Sequence, residues 1–343
     1  MRTIEPIQHL RALAALGVVI FHSLGLLGTH LGIVVTHKSL GAAGVDLFFI
    51  ISGFIMWVTA IDRDERPGTF ALKRIVRIVP LYWLFTTFVL ALVIIKPSLM
   101  RSASQDPVHF LASYLFVAWP HPTMVGRLWP PVIPGWTLNY EMFFYATVTL
   151  SLLLERAWRV PAIAAVLVGL PVLGWVSQPE GIASFYTHPI LLEFLFGIAL
   201  GVLFTRGYTL TPRRAWGVTL VALAMFFSLG LLGDDDNRTL MWGVPLAFLV
   251  AGALELPALA QGRVRDFSKL LGDASYSLYL VQFVVLPPAS AVMIRLVRPW
   301  PLPLAATVMV AGLIVVAVVA GIATYYIAER PIMQFARRWI KRS

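Results

Sequence analysis

Residues 7–27 read IQHLRALAALGVVIFHSLGLL, an unbroken apolar run that carries Arg11 and His22. A run of this length covers a bilayer as a helix, at 1.5 Å rise per residue. Arg11 and His22 are eleven residues apart, which is about 20° past three full turns, so both fall on nearly one face, roughly 16 Å apart along the axis. Ionisable groups in a membrane helix are costly and mark function by default.

The rest of the chain follows the same pattern. Of 343 residues, 59% are hydrophobic and 13% charged, with mean hydropathy +0.81. That composition excludes an ordinary soluble domain and predicts an all-α, polytopic membrane protein. Ten spans are expected, near 7–27, 40–61, 78–96, 136–155, 160–176, 188–206, 214–232, 238–256, 272–296 and 303–327. They form one domain, with no appended extracytoplasmic domain. Of the 27 Lys and Arg, all but Lys38, Lys96, Arg101, Arg127, Arg238, Arg295 and Arg298 fall on one side if both termini are cytoplasmic, as cationic loops prefer. The net charge of +10 therefore reflects topology, and no nucleic-acid partner is expected.

Cysteine is absent, which removes disulfides and a thiol nucleophile. No Walker loop, dinucleotide fingerprint or Gly-x-Ser-x-Gly elbow is present, and no histidine has metal-ligand spacing. The Pro-rich segment 97–135 reads as an outer loop holding a short re-entrant or interfacial helix. The basic, aromatic tail from Ile332 reads as an amphipathic helix on the inner leaflet.

His22, Asp46, Glu141 and Glu193 are each five or six residues from the expected outer ends of their spans, so they share a depth. A histidine beside carboxylates suits a general base. His22 and Glu141 read as functional, Glu193 as structural. Asp46, flanked by Gly41, Gly44, Ser52 and Gly53, serves either chemistry or close helix packing. On the inner side Arg74 and Arg77 share a helix face and enter an apolar helix directly. Arginine there fits either phosphate binding or topology anchoring.

Six stretches then resemble, in order, the motifs of the integral-membrane acyltransferase family three. They are Gln8-His9-Leu10-Arg11 through His22; Gly44-Val45-Asp46-Leu47-Phe48-Phe49; Arg74-Ile75-Val76-Arg77; Trp136-Thr137-Leu138-Asn139-Tyr140-Glu141; Leu271-Gly272-Asp273-Ala274-Ser275-Tyr276; and Glu329-Arg330-Pro331. Gln282 departs from the pattern, since many members carry histidine there, and glutamine does not transfer a proton in the same way.

The resemblance implies an O-acyltransferase of the bacterial inner membrane, most similar to the exopolysaccharide-modifying branch. Cytosolic acetyl-coenzyme A is the co-substrate, with no permanently bound cofactor. The acceptor is a hydroxyl of a polysaccharide or lipid-linked saccharide, and polysaccharide-synthesis machinery is an expected partner. His22 and Glu141 are the expected catalytic residues, with Glu141 orienting or charge-balancing His22. Arg11, Arg74, Arg77, Asp46, Trp136 and Tyr276 are the expected donor- and substrate-binding residues. A proton-coupled transporter or flippase is the alternative that the same intramembrane charges allow.

Overall fold

The computed structural model describes residues 4–33, 39–96 and 105–340, and every regular element in them is helical. Among the described residues eight helices are long and apolar enough to cross a membrane: Glu5–Leu31, Leu40–Ile61, Pro67–Ile95, Arg156–Ser177, Ile182–Thr205, Pro212–Leu232, Ser275–Val297 and Leu302–Ala336. The chain is a multi-pass membrane protein. Eight of the ten expected spans overlap these helices. The other two expected spans form 17-residue helices, Gly135–Ser151 and Thr239–Glu255. Pro134 precedes the first, and Leu256 at the end of the second is already extended, so the chain turns before either reaches about 20 residues.

The last expected span and the tail helix are continuous. Tyr325–Glu329 takes a wider π-type turn between the helical residues 302–324 and Arg330–Ile340. Pro331 has no N–H and its ring crowds the carbonyl four residues back, and a π-turn makes that room without breaking the helix. The side chains of 337–340 lie outside the described residues.

The chain divides into two units, Met1–Phe54 with Phe196–Ile327, and Ile55–Leu195 with Ala328–Ser343. In the first, Glu5–Leu31 starts with Pro6 in its first turn and ends at Gly32, whose φ of 69° a glycine adopts freely. Its Ala15, Val19 and Leu27 pack with Leu278, Leu286, Met309, Leu313 and Ala317. The recurrence at four residues gives each helix one apolar face. Small residues bring other helices closer still. A Cβ on Gly44 would lie 2.3 Å from the Ala14 carbonyl oxygen, and one on Gly197 would lie 2.0 Å from that of Ile50, as small-residue membrane interfaces require.

In the second unit, the expected short helix of the 97–135 segment is Pro107–Tyr114, and residues 97–104 lie outside the described residues. Asp106 caps it by accepting from Val108 N at 2.9 Å. Hydrogen bonds fasten it to Pro67–Ile95: Tyr82 to the Ser113 hydroxyl at 2.8 Å, Trp83 Nε1 to the Tyr114 carbonyl at 2.9 Å, and Thr87 to the Tyr114 hydroxyl at 2.8 Å.

His109, fully buried, donates from Nε2 to the Trp129 carbonyl at 2.7 Å. Burial pushes its imidazole below the ordinary value of 6.5, against the opposing pull of the Trp129 carbonyl and Asp106. The unfolded segment therefore takes up a proton more readily than the folded one. The stabilisation is complete above about pH 6.5 and is lost as pH falls below it. Amide exchange across 107–134 should speed up between pH 7 and pH 5, and His109→Gln should flatten that dependence.

Candidate active site

In the first unit, the motif containing Arg11 and the one containing Ser275 pack directly on each other. Arg11 Nη2 donates to Ser275 Oγ at 2.9 Å. A Cβ on Gly272 would lie 2.3 Å from the Gln8 carbonyl oxygen, and Ser268 Oγ pairs with His9 Nδ1 at 2.7 Å. Glu5 adds an ion pair to Arg265 and another to Lys269 at 3.3 Å. Arg11 is therefore anchored to the helix that Ser275 begins, and Tyr276, the next residue, is buried. Sequence reading missed Gly272 and Ser275 as partners of the first helix, because the contact joins residues 264 apart.

His22 lies half-buried on the same helix as Arg11, with its ring edge-on to Phe21 at 5.0 Å. No hydrogen bond holds the imidazole among the described residues of its unit.

Asp46 is fully buried and held on both oxygens by Arg238, Nε to Oδ1 at 3.0 Å and Nη2 to Oδ2 at 2.7 Å. Arg238 is buried too, and its guanidinium lies 5.1 Å from the Trp242 ring centroid. A two-pronged pair of this kind uses the carboxylate fully. Asp46, expected among the donor- and substrate-binding residues, thus has a buried cationic partner that the sequence places on the outer side.

In the second unit, Arg74 and Arg77 part company. Arg77 Nη1 donates to Glu329 Oε1 at 3.0 Å, with the carboxylate 2% exposed. That pair brings the third and sixth motifs together. Arg74 has no carboxylate partner among the described residues. Its guanidinium lies 5.6 Å from the Phe70 ring centroid and 5.9 Å from that of Tyr145, and its buried Nε has no hydrogen-bond partner there. Aromatic faces hold a cation without cancelling its charge, so Arg74 stays available to an anion.

Glu141 accepts a short hydrogen bond from the Tyr145 hydroxyl. Trp136, half-buried, stands edge-on to Tyr140 at 6.0 Å, and the Tyr140 hydroxyl donates to the Phe185 carbonyl at 2.8 Å. Glu193, fully buried, sits in the first turn of Leu192–Thr205, where a helix favours negative charge.

The two arginines should separate under mutation. Arg77→Ala leaves a buried carboxylate without its cation, at about 2–3 kcal/mol after discounting for the partly exposed arginine. Thermal unfolding of the purified protein should drop by several degrees for Arg77→Ala and by far less for Arg74→Ala. Equal losses would place both arginines in the framework.

An acyltransferase-domain family model matches residues 5–324 of the chain. The chain is 37% identical to the exopolysaccharide production protein ExoZ of Rhizobium meliloti (strain 1021), over 88% of this chain and 92% of that protein. It is 27% identical to the acyltransferase MdmB of Streptomyces mycarofaciens, over 88% of this chain and 83% of that protein. No solved structure matches.

Proposed function

Because the chain belongs to the acyltransferase family matched across residues 5–324, and is an acyltransferase enzyme, we propose that it moves an acetyl group from cytosolic acetyl-coenzyme A to a hydroxyl of an exopolysaccharide sugar or its lipid-linked precursor. The acceptor class rests on the similarity to ExoZ; the enzyme sits in the bacterial inner membrane with both termini cytoplasmic, the orientation that the Lys and Arg distribution favours. Family membership also favours the enzyme over the transporter that the same charges allow.

The observation that carries the donor assignment is Arg74. Its guanidinium is set in an apolar helix, held by two aromatic rings and opposed by no carboxylate among the described residues. Such a cation fits the phosphates of coenzyme A. Arg11 adds a second donor contact, and Arg77 steadies the helix through Glu329. Trp136 and Tyr276 complete the binding set.

His22 acts as general base. It takes the proton as the sugar hydroxyl oxygen attacks the thioester carbonyl. The new ester C–O bond forms, the C–S bond breaks, and the coenzyme A thiolate leaves as the thiol by taking that proton back from His22. Glu141 supplies the compensating negative charge. The short helix Pro107–Tyr114 and the loop after it lie on the acceptor side, as a re-entrant or interfacial cover.

The test uses purified full-length protein in proteoliposomes, acetyl-labelled coenzyme A and the de-O-acetylated exopolysaccharide. Label should appear in the polymer as alkali-labile ester. Label remaining wholly on coenzyme A, in protein shown to be folded, would overturn the assignment.

A further inference from the structure

Tyr145 lies four residues after Glu141 on Gly135–Ser151, one turn along the same face. It is 5% exposed. Its hydroxyl donates to Glu141 Oε1, and its ring lies beneath the Arg74 guanidinium at 5.9 Å. Phe70, fully buried and one turn before Arg74 on Pro67–Ile95, meets Tyr145 edge-on at 6.3 Å and 89°. The two rings thus form the walls around one cation, and one of them also carries the hydrogen bond to a carboxylate.

This arrangement solves a chemical conflict. A carboxylate placed on Arg74 would fix its position but neutralise it, and burying such a pair would leave little charge for a phosphate. Aromatic walls fix the guanidinium and leave its charge. The nearby Glu141 carboxylate is held by the tyrosine hydroxyl, which has a single proton to give and directs it to Oε1.

From this geometry we infer that Tyr145 is a positioning residue for the transfer reaction: its ring seats Arg74 for the anionic donor, and its hydroxyl aims the Glu141 carboxylate. The inference rests on the roles proposed above for Arg74 and Glu141.

The two halves of the side chain are separable. Tyr145→Phe keeps the ring and removes the hydroxyl. With the purified full-length protein, KM for acetyl-coenzyme A should stay within about twofold, while kcat falls about tenfold or more, as expected for a lost hydrogen bond to a charged group. Adding Tyr145→Phe to Glu141→Gln should slow the enzyme no further than Glu141→Gln alone. Tyr145→Leu should in addition raise KM for acetyl-coenzyme A roughly 3- to 30-fold, the range of a cation–aromatic contact, and Phe70→Leu should raise KM with kcat little changed.

A residue that merely filled space would not divide its effects between KM and kcat in this way. The inference fails if Tyr145→Phe keeps full kcat while Glu141→Gln and Arg74→Ala are impaired. If those two are themselves unimpaired, the donor-side roles fall first and the inference falls with them.

Discussion

Changing His22 to alanine is expected to lower acetyl transfer by about 10²–10⁴-fold, the usual contribution of a positioned general base. Expression and thermal stability should stay close to wild type. His22 is half-buried, touches Phe21 edge-on, and makes no hydrogen bond among the described residues of its unit, so its removal leaves no buried polar atom stranded. His22→Gln should be equally inactive, because an amide does not accept the proton. The measurement is transfer of labelled acetyl to polymer, with thermal unfolding on the same samples. Full transfer by either variant would remove His22 as the base.

Arg238→Ala should be the most damaging change to the fold. It strands the Asp46 carboxylate, which is fully buried and meets Arg238 through two hydrogen bonds of 3.0 and 2.7 Å. Removing one member of a buried pair costs about 3–5 kcal/mol, because the other is left charged and unsolvated. Replacing both by apolar residues, Asp46→Leu with Arg238→Met, removes the stranded charge and should recover much of the loss. Yield of monodisperse protein and its unfolding temperature would report this. A wild-type unfolding temperature for Arg238→Ala would show that Asp46 does not depend on Arg238 and would favour the binding role over the structural one.

These residues also show what the sequence could and could not disclose. Helices were legible, since apolar runs and their breaks are local. Eight of the ten expected spans correspond to long apolar helices, and the small-residue packing read around Gly44 is present at Ala14. Span length was less legible at 136–155, because the apolar stretch continues past Ser151, where the helix ends. Glu141 reads as functional from the sequence, and Tyr145 lies one turn on along the same helix.

The partners of the other charges were not visible. Asp46 and Arg238 are 192 residues apart, Arg77 and Glu329 are 252 apart, and Arg11 and Ser275 are 264 apart. Which charge neutralises which is decided by tertiary packing, which one-dimensional periodicity does not encode. The partners of Asp46 and Arg77 were therefore out of reach of the sequence. Of Arg74 and Arg77, Arg74 is the one with no carboxylate partner among the described residues.

The central claim, acetyl transfer to a surface polymer through His22, is tested most directly by O-acetyl analysis of the polysaccharides from a strain lacking this protein. The account predicts that one polymer loses its O-acetyl groups, that the wild-type chain restores them, and that the His22→Ala chain, expressed to the same level, does not. An unchanged O-acetyl content in every polymer of the deletion strain would contradict it.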